Sequence, residues 1–279
     1  MNNIRGLQNK LLEIAKYFDE FCNKHNIEYF LASGTALGAI RHKGFIPWDD
    51  DFDVFLTYEN YIKFIECAKK DLNKEKFYLQ EENTEEWPLF FSKLRMNGTT
   101  FIEEDTKNRV MHKGIYIDLF CLNKVSDNAM YRYLQYLSAR ILVARTLMER
   151  GYITNNKIKK VALAFSKVMI NEKVKTKLIK FIRSKNSKDT KFIAFLFGRA
   201  RYSGTIFPAS VFSDKRIVPF ENTELPVPIK AEEYLTLRYG NDYMEIPKQK
   251  EIQKDHPVHA VYWDTEKDYR EYEKEAGEK

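Results

Sequence analysis

Residues 33–53 read SGTALGAIRHKGFIPWDDDFD, and the acidic run at their end opens an apolar strand, DFDVFLT, over 51–57. Side chains two apart on a strand share a face, so Asp51 and Asp53 point the same way while Phe52 and Val54 turn to the core. Two ionised carboxylates on one face repel each other unless a cation lies between them. An oxygen-only donor set suits a hard ion such as Mg2+ or Mn2+, which brings substrate phosphates into its shell. Asp49 shares that face if the strand starts early, and Asp50 does not. A lone acid, Asp118, stands in the otherwise apolar run GIYIDLF at 114–120, where a charge needs a reason. With Asp51 and Asp53 it makes a metal-binding triad. The plain alternative is a solvated acidic turn. The apolar strand that follows, Asp118, and Gly34 and Gly38 upstream, where backbone can approach a phosphate, all speak against it.

Working outward, Leu7, Leu11, Ile14, Phe18, Phe21 and Cys22 recur at helical spacing and predict an amphipathic helix over 4–25. A strand follows over 27–34, then a short helix from Thr35 to Gly44. Residues 58–72 return to helical spacing. Strands are expected at 77–82, at 88–95 and 99–104 around Asn97-Gly98, and at 114–122; Asn-Gly between two such runs signals a hairpin. The pattern is α+β: a mixed sheet with flanking helices, ending near residue 125. Residues 128–150, 155–185 and 189–202 read as helices, and the proline-rich tail holds one short helix, 230–239, closed by Gly240. Three units are expected: a catalytic core over 1–125, a helical basic subdomain over 126–205, and a C-terminal segment, 206–279, that packs back on the core.

With 14% aromatic residues among 279, the chain has rings enough to build a core, which excludes intrinsic disorder. Its longest apolar runs, VALAF at 161–165 and FIAFLF at 192–197, fall far short of the ~20 residues that span a bilayer. The N-terminus has no signal-peptide core. Cys22, Cys67 and Cys121 are scattered and odd in number, against both a disulfide framework and a structural zinc. These features point to a reduced, cytoplasmic protein. The net charge of +6 favours anionic partners in general. Much of it lies in 155–191, where twelve basic side chains face two acids, Glu172 and Asp189. That stretch fits peripheral contact with anionic lipid on the inner face of a membrane, a groove for a phosphate-rich polymer, or a solvated helical face.

Further residues suit anion binding. Ser33, Gly34 and Thr35 sit where a strand enters a helix, whose free N–H groups bind phosphate. Arg41 and His42 follow, and Lys93 and Arg95 alternate on one strand face. His259 lies in the tail. Trp48, Trp87, Tyr116, Tyr262 and Trp263 are aromatic faces of the kind that hold quaternary ammonium groups.

The stretch LASGTALGAIRHKGFIPWDDDFDV resembles the LicD family, transferases that decorate bacterial surface glycans with phosphocholine, with fukutin-type transferases as distant relatives. FSKLRMNGTTF at 91–101 and LPVPIKAEEYLTLRYGNDYMEIP at 225–247 also look familial, while 126–205 matches no known motif. The resemblance implies a nucleotidyltransferase-like core and Mg2+- or Mn2+-dependent transfer of phosphocholine, or a related phospho-alcohol, from a CDP-alcohol such as CDP-choline. The acceptor would be a hydroxyl of lipopolysaccharide or a teichoic acid precursor, in some cases lipid-linked, and the by-product CMP. It assigns Asp51 and Asp53 to the metal, and Asp118 to completing the site and accepting the hydroxyl's proton. Lys93 and Arg41 would neutralise phosphoryl charge. Ser33, Gly34, Thr35, His42, Trp48, Asp50 and His259 would contact the donor. The zinc-binding cysteines of some animal relatives have no counterpart.

A nucleotidyltransferase moving NMP from an NTP, with release of pyrophosphate, uses the same triad. A silent scaffold would have no use for Asp51-x-Asp53. A nucleic-acid binder lacks any recognised module here.

Overall fold

The computed structural model describes residues 4–149, 161, 170–198, 200–250, 252 and 258–277. In chain order these form α1 (Ile4–Lys24), β1 (Phe30–Leu31), α2 (Ser33–His42), β2 (Asp53–Thr57), α3 (Tyr58–Asp71), β3 (Phe77–Gln80), β4 (Ser92–Met96), β5 (Thr100–Glu103), β6 (Tyr116–Val125) and α4 (Ala129–Glu149). After them come α5 (Glu172–Ile182), β7 (Phe192–Ala194), β8 (Ile206–Pro208), β9 (Lys215–Phe220), β10 (Thr223–Pro228), α6 (Ala231–Tyr239), β11 (Ala260–Asp264) and α7 (Tyr269–Gly277). The class is α+β, as the sequence pattern implies.

One sheet organises the molecule, with strand order β1-β2-β6-β4-β3, and β7 and β8 continuing from the far end of β6. Only β2 and β6 run parallel; the other pairings in this sheet are antiparallel. The helix predicted over 4–25 lays Leu7, Leu11, Ile14, Phe18, Phe21 and Cys22 into the core. Thr57 ends β2 and caps α3 by accepting from the Asn60 N–H, a side-chain cap that satisfies one of the orphan donors of a helix start. The same core takes Phe212, Phe220, Leu225, Val227, Tyr234 and Leu235 from the tail. A second cluster joins Val125 at the end of β6 to Ala139 and Leu142 of α4, Ile182 of α5, and Leu196 and Phe197.

Two expectations are corrected. Asn97-Gly98 turns the chain, but β4 and β5 do not form a hairpin: both edges of β4 are already taken, by β3 and β6, and β5 pairs with β11 instead. Among the described residues of 189–202, none is α-helical. Phe192–Ala194 is a short strand between β6 and β8, since a short apolar run fits a buried strand as well as a buried helix turn. Of the helix expected at 155–185, Glu172–Ile182 is helical; 155–160 and 162–169 lie outside the described residues. The tail also contributes a hairpin, β9–β10, that its prolines had obscured.

His112 shows how tightly the sheet's rim is fitted. Its Nδ1 accepts from the Gly114 N–H at 3.1 Å, its Nε2 lies 2.9 Å from Asn97 Oδ1, and its ring stacks on Tyr78. One nitrogen must accept and the other donate, so the ring is neutral. Burial, then the Arg95 charge, lowers its pKa to about 3. A depressed histidine binds fewer protons folded than unfolded, so its contribution is complete above the unfolded value near 6.5 and declines as pH falls toward 3. Urea unfolding of wild type should lose about 2–3 kcal/mol more than His112→Gln between pH 7 and pH 4.5; parallel losses in the two proteins would refute the assignment.

Candidate active site

The register of three strands builds the site. Asp53 of β2 lies opposite Asp118 of β6, and Asp118 lies opposite Lys93 of β4. Residues directly opposite on neighbouring strands share a face, so the three side chains stand in a row. Gln80 of β3 extends the row, and Tyr116, Arg95 and Tyr78 form the next. Asp53 is held by its backbone. Its N–H donates to Thr35 Oγ1 at 2.8 Å, and its carbonyl accepts from the Ala32 N–H at 3.0 Å. The start of α2 and the start of β2 are therefore fixed to each other.

Lys93 is 2% exposed, and its Nζ lies 2.9 Å from Asp118 Oδ1. The same ammonium sits 3.2 Å from the Tyr116 ring centroid, with Trp87 and Phe91 at 5.1 and 5.5 Å. Trp87 and Tyr116, candidate walls for a quaternary ammonium, are thus occupied by the protein's own cation. Burial lowers the Lys93 pKa and raises that of Asp118, and each charge partly offsets the effect on the other.

Asp49 is the residue that sequence reasoning left off the site. Its carboxylate hydrogen-bonds with Asp51, and it lies against Gly34, where an added Cβ would come within 2.8 Å of Asp49 Oδ2. Glycine at 34 therefore makes room for a carboxylate. Gly38 is needed for another reason: its Cβ would meet the Gly44 carbonyl oxygen at 2.5 Å, a backbone packing contact. The alternation 49, 51, 53 was the available signal for Asp49. Burial raises the pKa of Asp49, Asp51 and Asp53, with neighbouring carboxylates adding to it, and Asp51 reaches about 6. Asp51, 25% exposed, opens the cluster to solvent.

Asp50 lies three residues before β2 begins and holds the tail. It accepts from the backbone N–H of His259 at 2.7 Å and of Ala260 at 3.3 Å, and from His259 Nδ1 at 2.8 Å. That hydrogen bond raises the His259 pKa to about 9, so the imidazolium stands 3.9 Å from Asp51 Oδ2. Ser33, at a positive φ of 46°, donates its N–H to the Tyr234 hydroxyl at 2.9 Å. A non-glycine residue in that region is strained and is held there by its surroundings. Arg41 is used differently: it donates to the carbonyls of Tyr243 and Glu245. His42 meets Trp48 edge to face at 6.4 Å, and burial lowers its pKa. Arg41, His42 and Trp48 form a group at the far end of α2.

Among the described residues, no group of three or more His, Cys, Asp or Glu side chains forms a ready metal cage. The acidic donors are all oxygens, the chemistry that hard cations take. Four carboxylates gather against the charges of Lys93 and His259, and buried Asp118 Oδ1 lacks an aligned hydrogen bond. Asp51, Asp53 and Asp118 are the oxygens that would hold such an ion.

Residues 26–134 match the family model described as LicD/FKTN/FKRP, nucleotidyltransferase domain. Over 266 residues, 93% of this chain and 97% of the relative, the sequence is 27% identical to "Lipopolysaccharide cholinephosphotransferase LicD" of Haemophilus influenzae. A 54-residue stretch is 46% identical to an uncharacterized protein of Rickettsia typhi, covering 19% of this chain and 18% of that one. A similar match, 46% over 52 residues, links it to an uncharacterized protein of Rickettsia prowazekii, covering 19% of this chain and 20% of that one.

A carboxylate whose pKa is raised by folding costs stability at neutral pH. With chelator present, Asp53→Asn should therefore raise Tm by a few degrees, since about 1 kcal/mol corresponds to roughly 2–4 °C in a chain of this size. Lys93→Met should cost about 3–5 kcal/mol by leaving Asp118 buried and unpaired. Thermal unfolding measures both, and a lower Tm for Asp53→Asn would contradict the repulsion described.

Proposed function

We propose, from the match of residues 26–134 to the LicD/FKTN/FKRP nucleotidyltransferase model, that the chain transfers phosphocholine or a related phospho-alcohol from a CDP-alcohol such as CDP-choline. The acceptor is a hydroxyl of a cell-surface glycan or teichoic acid precursor, in some cases lipid-linked, and CMP leaves. The observation that carries this reading is the in-register pair Asp53 and Asp118 on parallel strands, in a chain that aligns with nearly the whole length of a relative named as a cholinephosphotransferase.

Asp51, Asp53 and Asp118 would hold a divalent cation, Mg2+ or Mn2+. When bound, that ion neutralises charge on the donor phosphates and on the departing CMP. Gly34 and Thr35, in the first turn of α2, present backbone amides to the donor diphosphate. His259, fixed as a cation by Asp50, offers its Nε2–H to a phosphate oxygen. The acceptor hydroxyl attacks the phosphorus that carries choline, the bond from that phosphorus to CMP breaks, and CMP leaves with the electron pair. Asp118 takes the hydroxyl's proton. Lys93 balances the charge beside it. Arg41 holds the chain after α6 through its carbonyls and has a positioning role.

Purified protein incubated with Mg2+, a bacterial glycan extract and CDP-choline should release CMP. Asp53→Asn should reduce that release at least about a hundredfold, the scale seen when a group stabilising transition-state charge is lost. Mass spectrometry of the products decides. Pyrophosphate from CTP in place of CMP from CDP-choline would assign the chain to NMP transfer instead.

A further inference from the structure

Helix α4 departs from the usual pattern of a surface helix, which turns its apolar side chains inward and its polar ones outward. It buries Gln135, Ala139, Leu142 and Thr146 against the body. Yet Met130, Tyr133, Leu134, Leu137 and Ile141 are exposed, Met130 to 69%. Their spacing aligns them along one outward face. Single exposed apolar side chains are ordinary, and a contiguous row marks a contact surface.

The helix cannot roll to hide this row. Arg132, Arg140 and Arg145 donate to the carbonyls of Ser126, Gly198 and Ile170, and Gln135 donates to that of Ile182. Alongside runs α5, joined through the Tyr131 and Phe181 rings at 5.0 Å. On α5, Lys173, Lys177 and Lys180 are exposed at a spacing that also gives one face. An aliphatic and tyrosine row on one helix and a lysine row on the helix packed against it match the chemistry of a bilayer interface, where apolar groups enter the acyl boundary and ammonium groups meet phosphates. A second copy of the chain would bring lysine rows toward each other, which like-charge repulsion opposes.

We propose that α4 and α5 together form a docking face for an anionic lipid bilayer. The face gives the proposed reaction a location, next to a lipid-linked acceptor, and it rests on that reading for its purpose only. Its own test needs no turnover. Full-length protein should co-sediment with phosphatidylcholine vesicles containing phosphatidylglycerol, and at least tenfold less with phosphatidylcholine alone. Leu134→Ser/Leu137→Ser/Ile141→Ser should weaken binding at least tenfold with Tm unchanged. Lys173→Gln/Lys177→Gln/Lys180→Gln should weaken it by about a hundredfold, at roughly fivefold per lysine near an anionic surface. CMP release with a water-soluble acceptor should be unchanged in both variants. Undiminished binding by the serine variant, or no preference for phosphatidylglycerol, would overturn the proposal. So would a wild-type dimer in sedimentation velocity that the serine variant dissolves, which would assign the face to self-association. Vesicle binding without CMP release would keep the docking face and reject the reaction; the reverse result would do the opposite.

Discussion

The contact between Lys93 and Asp118 is the constraint on which the site depends. A carboxylate in the middle of an apolar strand is tolerable only if something neutralises it, and here the neighbouring strand supplies an ammonium at 2.9 Å. A buried pair of this kind contributes little net stability compared with apolar residues of the same size. Its effect is on register: a slip of one residue between β4 and β6 would turn Lys93 to the opposite face and leave Asp118 alone. The pairing also fixes Asp53, because β2 is set against β6 with Asp53 opposite Asp118. The lysine in turn fills the space between Tyr116, Trp87 and Phe91, so the walls of the site are rigid.

Much of this was legible in the sequence, because it depends on local period. The two-residue repeat puts Asp51 and Asp53 on one face, although β2 itself begins only at Asp53, and an acid inside GIYIDLF marks Asp118. The helices over 4–25, 58–72, 128–150 and 230–239 follow from spacing and caps. What could not be read depends on partners distant in the chain. Nothing near Asn97-Gly98 says that both edges of β4 are taken, or that β5 would pair with Ala260–Asp264. Nothing in FIAFLF separates a short buried strand from a helix turn. Arg41 looks like a phosphate ligand until the carbonyls of Tyr243 and Glu245 are seen beside it. Gly34 reads as a phosphate-binding glycine, and the structure adds a carboxylate pressed against it.

The tail completes the core and the site together. Tyr234 holds the strained backbone of Ser33, and Arg41 meets the carbonyls of Tyr243 and Glu245. Glu221 accepts from the Phe45 N–H at 3.0 Å, and Asp50 grips His259 and Ala260. Each of these contacts reaches the segment 33–50, which carries the first turn of α2 and leads into the acidic run. Four separate ties on one segment help to hold several like charges close together.

The Asp50–His259 contact joins residues 209 apart in sequence, and this has a consequence for biosynthesis. During translation the acidic segment leaves the ribosome long before its imidazole partner exists. Contacts of such separation close late, since the intervening chain must first be ordered. A nascent chain therefore carries its carboxylates without the clamp that organises them. The clamp can close only once His259 and Ala260 have been made.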